Sequence, residues 1–567
     1  MKNIIEKICA VSKQSFVITA EDIEFYKKVG VISGDDMRGL PSLCPEERMR
    51  RRLAWRNERF LYNRECSGTG KKIVSMYNAD QKFPVYDNDF WWGDEWDGKD
   101  NFLDFDFSKD FFLQLESLLN IVPRMARVQQ GTCENSTFTN CAAYNKNCYL
   151  LFSANLDEDC AYGSFVLNCK NSFDSLYLRK SELCYESVSS EECYSSTFLQ
   201  NSKRCSDSHF LKNCISCTNC FGSINLRNKE YYFLNKKYSK EEYFKKLAEV
   251  GLSKYSKVKI LRGYFKKLFH KYPVKYSESL QNYNSSGNYL YNSKDSSECW
   301  DASNLESCKF VSDCENIKTS YDVNYYGCLE TNELLYECEG VGLGVYNVQF
   351  SKLCWGGCKN LQYCIECFKS EDCFGCVGLR NAKYCIFNKQ YSKEDYFALR
   401  EKIILHMKVR KEWGEFFPMN ISPFGYNETI AHEFFPLENP SLLASSDELK
   451  FNWSSEKISA QYDGPKYNIP DDIKDVPDEI LQKILQCEIT GKYYKIVQSE
   501  LNFYRKMKIA IPRKCPDQRH KERVDMRNPR QLFKRTCESC DVEISTTYAP
   551  NRPEEIFCEK CYLESVD

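Results

Sequence analysis

The chain has 567 residues, with 78 Lys and Arg against 80 Asp and Glu, a net charge of −2, and 32 cysteines. That balance supplies no global field for nucleic acid or membrane, so any such contact has to be local. No apolar run approaches the roughly 20 residues of a membrane span, and Met1-Lys2-Asn3-Ile4-Ile5-Glu6-Lys7 is not signal-like.

The expectation is therefore a cytoplasmic protein whose thiols stay reduced and serve as core residues or metal ligands. A disulfide-stapled exported protein is the alternative. Gly and Pro are scarce while Tyr, Phe and Cys are plentiful, which favours ordered sheet over linker.

Residues 1–90 form a module that returns at the end of the chain. Cys9-x-x-Ser12 is followed by Phe25-Tyr26-Lys27-Lys28, Pro41-x-x-Cys44-Pro45 and Cys66; Cys487-x-x-Thr490 is followed by Phe503-Tyr504-Arg505-Lys506, Pro512-x-x-Cys515-Pro516 and Cys537. Arg48, Arg52, Arg56, Arg59 and Arg64 recur in register as Arg519, Arg523, Arg527, Arg530 and Arg535, so this is an internal repeat. A turn followed by a Pro-started helix is how a treble-clef zinc site is assembled. The four positions here are Cys9, Ser12, Cys44 and Glu47, and again Cys487, Thr490, Cys515 and Gln518, with His520 as a substitute ligand. Two thiolates with a carboxylate or imidazole hold zinc weakly; the alternative is a knuckle held by packing and hydrogen bonds.

An acidic, aromatic connector covers 91–132. Its carboxylates would repel phosphate, so its expected role is packing, with Asp104 and Asp106 facing the arginines of a terminal module. Two cysteine-punctuated tracts follow, 133–250 and 291–405, separated by a basic linker helix over 251–290. Their ends repeat at an offset of 153: Leu226-Arg227-Asn228 matches Leu379-Arg380-Asn381, and Cys205, Cys214 and Cys220 match Cys358, Cys367 and Cys373.

In the first tract every second cysteine advances 21 to 24 residues, which suggests one coil of a β-solenoid with two inward cysteines per turn. Ser239-x-x-Glu242 and Ser392-x-x-Asp395 start capping helices at the ends of the tracts. The rival reading of the tight spacings is a metal or iron-sulfur site, with Cys364, Cys367, Cys373 and Cys376 as ligands.

Residues 406–480 read as a connector, with Tyr426, Glu428 and His432 its clustered acid-base groups but no accompanying nucleophile or phosphate loop. Residues 481–567 hold the second knuckle and the most specific chemical signal in the chain. Cys537-x-x-Cys540, 17 residues, then Cys558-x-x-Cys561 is four-thiolate ribbon spacing, predicting one structural Zn(II). The matching N-terminal positions are Cys66, Thr69, Asp87 and Phe90, which predicts a metal-free ribbon.

The fold class expected is mainly β with α: two Cys-rich β-solenoid (β-helix-like) repeats flanked by treble-clef or zinc-ribbon-like modules. Phe16-Val17-Ile18-Thr19-Ala20-Glu21-Asp22 with Cys44-Pro45, the paired Leu-Arg-Asn phrases, Ser422-Pro423-Phe424-Gly425-Tyr426-Asn427-Glu428-Thr429 and the closing ribbon resemble an uncharacterised zinc-ribbon and treble-clef family of candidate-phyla (CPR) bacteria. The resemblance implies CxxC knuckles with Cys9, Cys44, Cys487 and Cys515 as ligands, from which Ser12, Glu47, Thr490 and Gln518 depart. Some relatives carry a transferase label, for which these residues supply no support.

The functional expectation is a non-enzymatic zinc-binding scaffold or adaptor. It would bind RNA or a ribonucleoprotein through Arg48, Arg51, Arg52, Arg56 and Arg59 and through Arg519, Arg523, Arg527 and Arg530, whose guanidinium groups suit phosphate. The alternatives are a metal-cluster or redox enzyme using the tract cysteines, and an assembly factor for protein partners. No membrane association is expected.

Overall fold

The computed structural model describes residues 4–326, 330–437, 450–455, 462 and 464–566. It is a mixed α/β chain in two compact units, each discontinuous in sequence. One comprises Met1–Ala126, Ser277–Ser454 and Arg530–Leu532; the other comprises Arg127–Tyr276, Ser455–Pro529 and Phe533–Asp567. The N-terminal module therefore belongs with the second cysteine tract, and most of the C-terminal module with the first. The helices used below are α1 (Ala20–Lys28), α2 (Pro45–Leu53), α3 (Lys240–Val250), α4 (Tyr255–Phe269), α5 (Lys393–Val409), α6 (Gln498–Met507) and α7 (Pro516–Val524).

The first tract is a parallel ladder in which each residue pairs with the one twelve further on: Tyr149 with Ala161, Ser164 with Leu176, Leu176 with Val188. Isolated bridges continue the twelve-residue register to Arg227. The expected 21 to 24 residues per turn is corrected by this register. From Cys148 to Leu226 every third residue is buried, and from Asn147 to Asn228 every third residue has φ between +46° and +61°. A rung thus has four sides of three residues, one pointing in and one turning a corner. Cysteines can recur only at multiples of three, which is why the intervals after Cys148 are 12, 9, 15, 9, 12 and 9. The left-handed corners cost a typical side chain about 1–2 kcal/mol, least for Asn and Asp, and Asn147, Asp159, Asn168, Asn171, Asp174 and Asn201 stand at them.

The inward positions hold Leu and Val beside many small Cys and Ser, and the backbone amides and carbonyls next to them are buried. Inward serines and cysteines give those groups partners. Ser202 donates to the Gln200 carbonyl (3.0 Å) and accepts the Cys214 N–H (3.3 Å); the Cys184 thiol lies 3.5 Å from the Glu182 carbonyl and 3.6 Å from that of Cys193. Buried backbone groups need such partners, and a thiol is small, apolar and a weak donor. Burial pushes the thiol of Cys148 up to about 12 and that of Cys169 up to about 12, so these sulfurs are protonated packing groups.

One inward position breaks the pattern. Asp157 accepts the Cys169 N–H at 2.8 Å, but its second oxygen has no hydrogen-bond partner among the described residues. Burial raises its pKa well above the ordinary carboxylate range. The native state then keeps a proton that the unfolded chain releases, so the associated stability is intact below the ordinary carboxylate pKa and falls as pH rises through the native one. One rung earlier the same column holds Asn145, which accepts the Asp157 N–H at 3.0 Å. Asp157→Asn is therefore expected to raise stability at pH 8 relative to the parent and to flatten its pH dependence, checked by urea unfolding at pH 5 and pH 8.

The second tract uses the same scheme with looser rungs. Its register is twelve at Gly287–Cys299, widens to fifteen at Ile317–Asn332 and to thirteen at Glu333–Tyr346, and returns to twelve at Lys359–Glu371. Both predicted capping helices are present. Ser239 and Glu242 form a reciprocal capping box on α3, and Ser392 accepts the Asp395 N–H at 3.1 Å on α5. Tyr243 of α3 packs with Phe210, Phe221 and Phe265, and Tyr396, Ile403 and Met407 of α5 pack with Tyr363, Phe374 and Phe387.

Each terminal module docks on the flank of its ladder through the same contacts made twice. Phe25 stacks on Tyr321 with ring centroids 3.8 Å apart, as Phe503 stacks on Phe173 at 4.4 Å. Arg48 lies 2.9 Å from Asp322, and Arg519 pairs with Asp174. Arg56 covers the Tyr325 ring at 4.0 Å and Arg527 the Tyr177 ring at 3.8 Å. The acidic connector also packs on the second ladder. Arg380 lies over Trp91 and Trp96, and Asp104 pairs with Lys389 at 2.5 Å. The expectation that Asp104 and Asp106 face the terminal arginines is corrected accordingly: Asp106 pairs with Lys109, its neighbour in sequence.

Candidate metal centre

The strands Phe533–Thr536 and Glu543–Thr546 form an antiparallel hairpin that presents Cys537 and Cys540 in its turn. The turn is held by Cys537 N–H to Val542 O and Asp541 N–H to Cys537 O, both 2.8 Å. The second pair is presented between the strand Ile556–Phe557, which pairs with Val274–Lys275, and the helix Glu559–Val566. The sulfurs of Cys537, Cys540, Cys558 and Cys561 all lie within 4.8 Å of one another, and those of Cys540 and Cys558 are 3.8 Å apart. A tetrahedral site with about 2.3 Å metal–sulfur bonds has sulfur–sulfur edges of about 3.8 Å, so the group can close on one ion with little movement.

The cluster also lowers the cost of thiolate. Burial opposes ionisation of Cys537, but the N–H groups of Cys558, Ser539 and Cys540 aimed at its sulfur bring its pKa down to about 6. The Cys558 N–H to Cys537 Sγ contact is 3.2 Å. Cys537 and Cys561 are buried and Cys540 is exposed, so the site sits at the surface of its hairpin.

The N-terminal ribbon keeps this scaffold with other chemistry. Cys66 N–H reaches Lys71 O and Gly70 N–H reaches Cys66 O, both at 2.8 Å, and the Asp87 N–H points at Cys66 Sγ at 3.2 Å. Phe90 stands at the position matching Cys561. Its ring lies so close to Gly68 that a Cβ there would come within 2.5 Å of it, so an aromatic plug fills the turn.

The weaker candidates do not assemble. At the first knuckle Cys44 N–H reaches Cys9 Sγ at 3.3 Å and Ser12 Oγ lies 3.7 Å from Cys44 Sγ; at the second, Thr490 Oγ1 lies 3.6 Å from Cys515 Sγ. Cys9 with Cys44 and Cys487 with Cys515 are thus paired thiols beside a hydroxyl. Glu47 pairs with Arg50 at 3.2 Å, and neither Glu47 nor His520 completes a group of three. Among the described residues, the four ribbon thiols are the one such group. The ligand set of Cys364, Cys367, Cys373 and Cys376 is likewise corrected. All four are inward thiols on two successive rungs, directed at backbone carbonyls at 3.5, 3.5, 3.9 and 3.4 Å respectively, and although neighbouring sulfurs touch they do not converge as a metal-holding group.

The expected phosphate-binding arginines are turned inward. Arg52 is fully buried, with Nε donating to Asn324 (2.7 Å), Nη1 to Glu337 (2.6 Å) and Nη2 3.2 Å from Asp322. Arg51 bridges Glu337 and Glu415, and Arg56 bridges Glu58 and Glu339. Arg519 and Arg523 share Asp174, while Arg530 pairs with Asp301 and Asp313. Arg527 stacks on Tyr177, and Arg59 is half-buried. These side chains dock the modules on the ladders. The sequence reading missed their partners: Asp174, Asp301, Asp313, Asp322 and Glu337 all occupy left-handed corners, and a carboxylate recurring in phase with those corners was the available signal.

No family model matches the chain, and no curated protein matches it. Among solved structures, a chain described as a "putative acetyltransferase from Desulfovibrio desulfuricans G20" is similar at 8% identity, over 47% of this chain and 68% of that one, with a TM-score of 0.11. Among the described residues no helix is long and apolar enough to cross a membrane.

Proposed function

We propose that the protein is a non-enzymatic scaffold in which the two parallel ladders are β-solenoids, each carrying a docked terminal module, and one structural Zn(II) closes the C-terminal ribbon. The observation that carries the reading is the closed set of four thiols at Cys537, Cys540, Cys558 and Cys561. Four-thiolate zinc has no open position for water or substrate, so its contribution is to folding. The interior thiols support the same reading, since they are directed at backbone carbonyls. A cluster enzyme would need them gathered as thiolates around one point.

The partner surface is then made of what stays exposed. Lys257, Lys266, Lys267 and Lys271 are exposed on and just beyond α4, beside Tyr264, and lysines with an aromatic suit a phosphate backbone and a stacked base. Metal analysis of anaerobically purified full-length chain is expected to give about one zinc per chain, no iron and a colourless solution. Stoichiometric iron with visible absorbance would overturn the scaffold in favour of the cluster enzyme.

A further inference from the structure

The cap of the first ladder concentrates positive charge. Residues 227–275 hold fifteen Lys and Arg against four Glu, in a chain whose net charge is −2. Capping a ladder does not require this. The capping helix of the other unit, α5, mixes Lys393, Arg400, Lys402 and Lys408 with Glu394, Asp395 and Glu401, whereas α4 has five cations and no acid. The acids that reach α4 are held on its other flanks: Glu488 lies 3.5 Å from Lys259, Glu186 2.9 Å from Arg262 and Glu554 3.8 Å from His270.

On the remaining face Lys257, Ile260, Tyr264, Lys267 and Lys271 follow one another at steps of three and four residues, which makes them one stripe of the helix. All five are exposed, Ile260 at 66% and Tyr264 at 48%, and the three lysines form no ion pair among the described residues. Gly263 is the second observation. Glycine is among the poorest helix formers, yet it stands exposed in the middle of α4 without a left-handed φ, and a Cβ there would meet no atom within 4 Å. Neither the backbone nor the packing of the described residues calls for it. What it provides is bare backbone one turn from Ile260 and Lys267, open to a partner that approaches closely.

We propose that this stripe binds a single-stranded polynucleotide, with phosphates on Lys257, Lys267 and Lys271 and a base against Tyr264. The inference rests on the partner surface of the scaffold proposed above and names what that surface takes. Unpaired lysines suit the phosphodiester charge, and an exposed ring offers stacking to a base that is not already stacked in a duplex. From Lys257 to Lys267 is about 15 Å along the helix, so the phosphates bound lie on one short stretch of strand. The packing argues against an anionic bilayer as the partner. Val258 and Phe265 are buried, and the Phe265 ring lies 4.8 Å from Phe210 and 5.6 Å from Phe221, so the apolar side of α4 is already packed on the ladder and cannot enter lipid.

The test is fluorescence anisotropy of a labelled oligouridylate of about 12 nucleotides titrated with the full chain, with an RNA duplex of the same length and phosphatidylserine-containing vesicles as the other arms. The expected result is saturable binding of the single strand with a Kd below about 10 μM at low salt and a log–log salt slope near about −2, as for three phosphates on a single strand. K257E/K267E/K271E should weaken it about tenfold or more, and Gly263→Leu and Tyr264→Ala about threefold or more at an unchanged melting temperature by circular dichroism. No saturable binding by the parent, or an affinity that K257E/K267E/K271E leaves unmoved, overturns the stripe. Duplex bound as tightly as single strand, or unaltered binding in Tyr264→Ala, overturns the single-strand assignment, and binding of the vesicles in place of the oligonucleotide assigns the stripe to a lipid surface instead. A chain that holds one zinc and no iron but binds no oligouridylate overturns this assignment alone and leaves the zinc scaffold standing.

Discussion

Replacing Arg52 by alanine is expected to lower the unfolding free energy of its unit by about 3–5 kcal/mol, the cost of breaking a buried ion-pair network. The side chain is fully buried and serves Asn324, Glu337 and Asp322 at once, so its removal leaves Asp322 to Arg48 and Glu337 to Arg51 and Arg48, with one positive charge fewer among carboxylates at 0% exposure. Exposed pairs are worth about 0–1 kcal/mol, and Lys383→Ala, which breaks a pair with Glu371 whose side chains are 45% and 43% exposed, is the matched control. All eight tryptophans lie in the sequence stretches of this unit, so indole emission during urea unfolding follows it selectively. A midpoint shift for Arg52→Ala no larger than that of Lys383→Ala would show that the ion pairs do not hold module to ladder.

The second large effect is expected at the ribbon. Cys561→Ser should reduce bound zinc from about one per chain to near zero, because three thiolates and a hydroxyl are a much poorer set. Structural zinc supplies about 10–16 kcal/mol of apparent binding free energy in small finger peptides, and that energy is folding energy. The hairpin Phe533–Thr546 and helix Glu559–Val566 should therefore lose hydrogen-exchange protection, together with the short pairing of Ile556–Phe557 on Val274–Lys275. Cys66→Ser in the Phe90-plugged ribbon should leave the zinc content unchanged. Protection that survives in Cys561→Ser would mean that packing alone folds the ribbon.

Some of this was legible in the sequence because it is local. The ribbon spacing fixes two turns whose chemistry needs no distant partner, and Ser239 and Ser392 announce the helices they cap. Both duplications could be read from offsets alone. The ladder was legible only in part: Cys148, Cys160 and Cys169 show that thiols recur, but the twelve-residue rung emerges only when serines such as Ser172 and Ser181 count as equivalents of cysteine. The arginines defeated the reading for a different reason. Guanidinium groups along α2 look the same whether they await phosphate or a carboxylate, and Asp322 and Glu337 lie more than 270 residues away. Nothing local states which ladder a module will choose.

That choice has a consequence for how the chain is made. Between Ala126 and Ser277 about 150 residues of the other unit intervene, and at roughly 5–20 residues per second a ribosome needs about 8–30 s to deliver them. Throughout that interval the nascent N-terminal module carries its cationic helix without the acidic flank that neutralises it. Chaperone occupancy should accordingly peak midway through synthesis and fall once the second tract emerges from the exit tunnel.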